Sequence, residues 1–284
     1  MKFVSYVRCG KPGFGAAVEG GLVDLTGRVA PEIVSLKGLL AAGREADAAA
    51  YVKGRRAEFG MSDVALLPVL PDPDKVLCIG LNYETHRAET KRPEAKHPTV
   101  FMRFADSQMA HGAPMIRPRV TEKLDYEGEL AIVIGKGGRY ISKANALDHI
   151  AGYAAYNDGS VRDWQNHTHQ FGPGKNFPAT GGFGPYLVTP DEVGDYRKLP
   201  IETRLNGEVM QKATLADLIF SLEDIIEYCS AFTPLVAGDV IVTGTPGGVG
   251  ARREPPLFMK PGDVVEVDLG PIVGTLVNPI IQEV

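Results

Sequence analysis

The feature that most constrains this 284-residue chain is a series of short apolar runs, rich in Val and Ile and each ended by Gly, Pro, Asn or Asp. They fall at residues 76–80, 99–103, 130–134, 151–156, 185–188, 239–242, 263–268 and 272–277. Runs of about four to eight such residues between turn formers read as strands, because branched side chains fit a pleated surface. Asn206-Gly207, between residues 201–205 and 208–211, specifies a two-residue hairpin of the I′ type. Helices are expected in few places. Parts of the Ala-rich stretch 35–59 qualify, Ser142 caps one through Asp148, and Ser221 with Asp224 forms a capping box. Leu222, Ile225, Ile226 and Cys229 then follow at helical spacing. Strands dominate without strict β-α-β alternation, which argues against a doubly wound sheet or a TIM barrel and for a mixed β fold with short helices, the α+β class.

The chain begins with strand-like pieces at residues 2–7 and 21–25. Pro68, Pro71 and Pro73 then interrupt every regular structure, since proline fixes φ and lacks an N–H. The boundary is placed there, with a small N-terminal domain at 1–70 and the main domain at 71–284. A net charge of −5 and no basic stripe argue against nucleic acid as a partner. No apolar run is long enough for a bilayer span, and the stretch from Phe3 to Val7 is too short for a signal peptide. Cys9, Cys78 and Cys229 are too few for a disulfide framework and are expected as buried free thiols, consistent with the cytoplasm.

Four segments carry chemistry. In Asp125-Tyr126-Glu127-Gly128-Glu129, read as a strand, Glu127 and Glu129 point the same way and repel unless a cation or protons neutralise them. Residues 151–156 lead to Asn157-Asp158, a third carboxylate at a strand end. Three carboxylates without Cys or His suit a hard ion, Mg²⁺ or Mn²⁺; the alternative is a solvated acidic edge. In the segment from Gly80 to Glu89, His86 and Glu89 share a helical face, where the carboxylate orients the imidazole as a general base. Arg162 and Lys175 can bind a carboxylate or oxyanion, and the Gly-rich turn around Thr245 offers backbone amides. Gly174-Lys175 lacks the pattern of a phosphate loop. His167 and His169 read as loop residues, and Trp164 as a packing anchor.

Together and in this order, Gly80-Leu81-Asn82-Tyr83 with His86 and Glu89, Asp125 to Glu129, Asn157-Asp158 with Arg162 and Gln165, Gly174-Lys175, Val242 to Pro246 and Lys260 to Val264 resemble the fumarylacetoacetate hydrolase family. The resemblance implies a mixed β-sandwich or open barrel, a divalent metal and a homodimer. It implies Glu127, Glu129 and Asp158 as metal ligands, and His86 and Glu89 as a catalytic dyad on a lid. Lys175 and Gln165 are implied as oxyanion stabilisers, with Arg162, Tyr83, Thr245 and Gly244 as substrate contacts. One departure stands out: Arg103-Phe104 replaces a frequent Lys-Pro pair. The expected reaction is metal-dependent hydrolysis of a carbon–carbon bond in an acylpyruvate such as maleylpyruvate or fumarylpyruvate, a small oxo-acid substrate. Isomerisation, decarboxylation or hydration of a related 2-oxo diacid through an enolate is the alternative. A metal-dependent binder without turnover comes last, since it has no use for a carboxylate-supported base.

Overall fold

The computed structural model describes residues 1–93 and 95–284. An eleven-stranded mixed sheet forms the centre. Its main path runs Gly21–Asp24, Lys11–Val18, Lys2–Arg8, Gly181–Val188, Ile150–Asp158, Gly128–Ile134, Val240–Val242, Val76–Gly80 and Thr99–Arg103. Its two ends do not meet, so no closed barrel forms. A five-stranded sheet, in the order Glu208–Thr214, Pro200–Leu205, Val264–Asp268, Thr275–Gln282 and Met115–Arg117, packs against it.

Strand Gly128–Ile134 shows how the layers arise. Every residue in it is buried, because both faces are covered. Leu130, Ile132 and Ile134 face one core with Ile201, Val267 and Leu276 of the second sheet. Ala131 and Val133 face another with Phe3, Leu36 and Leu39 from the N-terminal segment. The period-2 alternation of a strand thus divides one short run between two cores.

Local signals explain several elements. Asn206 and Gly207 both adopt positive φ (53° and 82°), and Leu205 pairs with Glu208 across the hairpin. Helix Leu222–Phe232 starts where the Ser221 side chain accepts from the Asp224 amide and Asp224 accepts from the Ser221 amide. The segment after Ser142 differs from expectation: Lys143–His149 is a 3₁₀ helix, and no side-chain bond from Ser142 caps it. A strand begins immediately at Ile150, leaving no length for a full α-helix. Residues 272–277 also differ: Gly270–Val273 is a helical turn, Gly274 has φ 95°, and the strand starts at Thr275. Cys9 is exposed rather than buried, since it sits in the turn of a hairpin. Among the described residues, no helix is long and apolar enough to cross a membrane.

Candidate active site

Glu127 directly precedes strand Gly128–Ile134, and Glu129 lies within it. Gly128 between them faces the second sheet, where a Cβ would lie 2.0 Å from Thr203 Oγ1; the sheets close only over a glycine. The neighbouring antiparallel strand pairs Gly128 with Asn157, which brings Asp158 opposite Glu127; the Asp158 amide donates to the Glu127 carbonyl at 2.8 Å. Carboxylate oxygens of Glu127, Glu129 and Asp158 therefore lie within 4.8 Å of one another, all three side chains buried.

Three buried cations answer this charge. Lys175, at the end of the helical turn Gly172–Lys175, places Nζ 2.7 Å from Glu127 and 2.5 Å from Asp158. Arg103 reaches Asp158 at 2.6 Å and donates to Thr180 Oγ1 at 2.8 Å. Arg162 donates from Nε to Asp125 and from Nη1 to Glu127, both at 2.7 Å, and from Nη1 to Gln165 Oε1 at 2.9 Å. Its buried Nη2 has no protein partner among the described residues. Burial opposes ionisation of Glu127, but Lys175 and Arg162 outweigh it and hold that carboxyl well below the usual range. Glu129 goes the other way: burial, then Asp158 and Glu127, push it well above that range. No cation pairs with it among the described residues; its hydrogen-bond partner is the Gly244 amide at 2.5 Å.

Four buried carboxylates, counting Asp125, thus face three buried cations. The carboxyl left without a cation is Glu129, which burial and two neighbouring carboxylates drive toward its protonated form. An oxygen-only donor set lacking one cation fits a hard divalent ion.

The dyad lies on helix Glu84–Glu89. His86 Nδ1 is 2.7 Å from Glu89 Oε1, and Glu89 Oε2 accepts from the Gly248 amide at 2.8 Å. The Gly247 amide donates to Thr85 Oγ1 at 3.0 Å, so the helix is docked on the Gly-rich turn. Leu81, at the turn entering this segment, has φ 60°, which strains a branched side chain beside the site.

A cavity of about 360 Å³ collects these groups, with His86, Glu127, Glu129, Arg162, Gln165, Lys175 and Thr245 on its wall. Glu89 and Asp158 stand behind that wall. Gly244 serves Glu129 through its amide and does not line the cavity, and Thr245 Oγ1 donates to the Gly128 carbonyl at 2.9 Å. Tyr83 does not line the cavity: its ring is fully buried in the core with Leu222, where its backbone bridges to Leu218. Lys175 is occupied by two carboxylates rather than aimed at an oxyanion. His167 packs near Trp164, which meets Phe177 edge-on; neither His167 nor His169 lines the cavity.

Two residues had no assigned role in the sequence reading. Asp125 accepts from Arg162 Nε and from the amides of Gly250 (2.8 Å) and Ala251 (2.9 Å), tying three segments together. Arg103 supports Asp158 from behind. Its only signal in the sequence was its departure from the Lys-Pro pair.

Comparison with known proteins agrees with this arrangement. The family described as Fumarylacetoacetate (FAA) hydrolase C-terminal matches residues 75–281. The chain is 42% identical over 226 residues to the oxaloacetate tautomerase YisK of Bacillus subtilis, covering 78% of this chain and 75% of the relative. It is 40% identical over 222 residues to the mitochondrial oxaloacetate tautomerase fahd2 of Xenopus laevis, covering 78% and 69%. A solved fumarylacetoacetate hydrolase from Exiguobacterium antarcticum superimposes with a TM-score of 0.87 at 35% identity, over the whole of both chains. The chain belongs to the fumarylacetoacetate hydrolase family.

Proposed function

We propose that this protein catalyses keto–enol tautomerisation of a 2-oxo dicarboxylate of the oxaloacetate type. The observation that carries the reading is the His86–Glu89 pair opening onto the same cavity as the carboxylate triad. The names of relatives 40–42% identical over most of the chain support the choice of reaction. A Mg²⁺ or Mn²⁺ ion held by Glu127, Glu129 and Asp158 would supply Lewis-acid stabilisation for the oxygen that gains charge.

Glu89 accepts the Nδ1–H of His86, which leaves the Nε2 lone pair free as base. Nε2 removes a proton from C3, the C–H electron pair becomes the C2–C3 double bond, and a proton delivered to O2 completes the enol. The Gly248 amide fixes the second oxygen of Glu89, so the imidazole holds one orientation. Arg162 Nη2, a buried donor without an acceptor among the described residues, binds a substrate carboxylate. Gln165, oriented through its Oε1 by Arg162, keeps its amide N–H groups for substrate oxygen.

The test follows the enol absorbance of oxaloacetate with metal-loaded protein and identifies products by mass. Metal-dependent equilibration at unchanged mass supports the reading, and no acceleration overturns it. His86→Ala should lower kcat by roughly 10²–10⁴-fold while metal affinity stays unchanged. The second reading is carbon–carbon hydrolysis of an acylpyruvate such as maleylpyruvate, favoured by the same dyad because an oriented imidazole equally activates water. Release of pyruvate and a free acid would select it. A homodimer in the cytoplasm belongs to the same proposal; light scattering on the eluted protein reads its oligomeric state.

A further inference from the structure

The mouth of the cavity carries positive charge that the chemistry above does not use. Lys123, Arg252 and Arg92 line it from three separate segments, and all three are exposed. Among the described residues, none of their side chains has an ion-pair or hydrogen-bond partner. Besides Glu127 and Glu129 of the triad, the wall holds Asp163, which is engaged by the Thr121 hydroxyl at 2.8 and 3.0 Å and by the Trp164 amide at 3.1 Å. Exposed cations without partners on the wall of one cavity favour an anion within it.

Lys123 and Arg252 do not arrive there by chance flexibility of the chain. Lys123 precedes Asp125, and its carbonyl accepts from the Arg162 amide at 3.0 Å. Arg252 ends the 3₁₀ turn Gly250–Arg252, whose first two amides are held by Asp125. Gly250 permits that approach: a Cβ there would lie 1.8 Å from the Leu257 carbonyl oxygen and 2.6 Å from Asp125 Oδ1. The Asp125 carboxylate thus fixes the Arg162 side chain and the turn that carries Arg252, while the Lys123 backbone is held by the Arg162 amide and by Thr121 Oγ1. Arg92 comes from a separate segment, just after helix Glu84–Glu89.

We infer that Lys123 and Arg252, with Arg92 closing from the helix side, form a distal anion subsite that reads the substrate's second carboxylate and so selects dianionic over monoanionic 2-oxo acids. This rests on the oxo-acid reading of the cavity. It adds residues that set specificity without touching the reacting carbon. Because the cations are exposed, each contributes modestly and its effect is screened by salt.

The experiment is titration calorimetry on Mg²⁺-loaded protein with two inert probes that share an oxalyl head. N-oxalylglycine carries a distal carboxylate, and oxamate carries none. Wild type should bind N-oxalylglycine more tightly, with the steeper loss of affinity on adding salt. Lys123→Gln and Arg252→Gln should each weaken N-oxalylglycine about five- to tenfold and leave oxamate unchanged; Lys123→Arg should restore the affinity. Equal losses for both probes, or none for either, overturn the subsite. Wild type that binds neither probe overturns the subsite together with the oxo-acid reading, whereas tight oxamate binding without a preference for the diacid removes the subsite alone.

Discussion

Among the site carboxylates, Glu127 is clasped by Lys175 and Arg162, while Glu129 has, among the described residues, only the Gly244 amide. The two glutamates should therefore respond oppositely to loss of charge. Glu129→Gln is expected to stabilise the metal-free protein by about 1–2 kcal/mol, because it removes the cost of keeping a buried carboxyl protonated where no cation answers it. Glu127→Gln should destabilise it by about 3 kcal/mol, because Lys175 and Arg162, both buried, each lose one of their two carboxylates. Both should lower Mg²⁺ or Mn²⁺ affinity by at least ~100-fold, read by titration calorimetry. The same contrast sets a pH dependence. The Glu129 carboxyl lies above its ordinary range, so its contribution to metal-free stability is complete below that range and is lost as pH rises through the raised value. Thermal unfolding without metal should show this decline toward high pH, and Glu129→Gln should flatten it.

Elements meet at two glycines whose missing side chains decide the geometry. Gly128→Ala should cost about 2–4 kcal/mol, since the new methyl collides with Thr203 Oγ1 at the junction of the two sheets. That hydroxyl is buried without a partner among the described residues, so Thr203→Ala alone should be mild, and the double variant should be less destabilised than the sum of the singles. Chemical denaturation of the four proteins gives the coupling. At helix Leu222–Phe232, Ser221→Ala should lower stability by about 1 kcal/mol through loss of the cap.

For the whole molecule, the division at residues 70 and 71 is kept as a proposal in which 1–70 forms a small N-terminal domain docked on the rest. Its strand Lys2–Arg8 pairs with Gly181–Val188, and Phe3, Phe14, Leu36 and Leu39 cover Ala131, Val133, Ala154 and Phe183. Residues 71–284 expressed alone should consequently aggregate or melt far below the full chain, because that apolar face of the main sheet is uncovered. A truncated protein as stable and soluble as the full chain would show the cover to be dispensable.

Alternation along a strand was enough to put Glu127 and Glu129 on one side, and helical spacing was enough to pair His86 with Glu89. Asn206-Gly207 and the Ser221–Asp224 box were equally legible, since each is satisfied within a few residues of chain. The helix expected after Ser142 shows the limit of such signals, because its length was cut by the strand that follows. Asp158 meets Glu127 only through the antiparallel register, which depends on pairing across the sheet. Arg103 comes to rest behind Asp158, and Tyr83 turns into the core, through packing that no local pattern specifies. What the sequence determined by itself was which groups share a face and which chemistry they offer, because those rules act between chain neighbours. What only the tertiary structure decided was which charges meet, leaving Glu129 without a cation and Lys123 and Arg252 facing an open cavity, because charge balance is settled between segments distant along the chain.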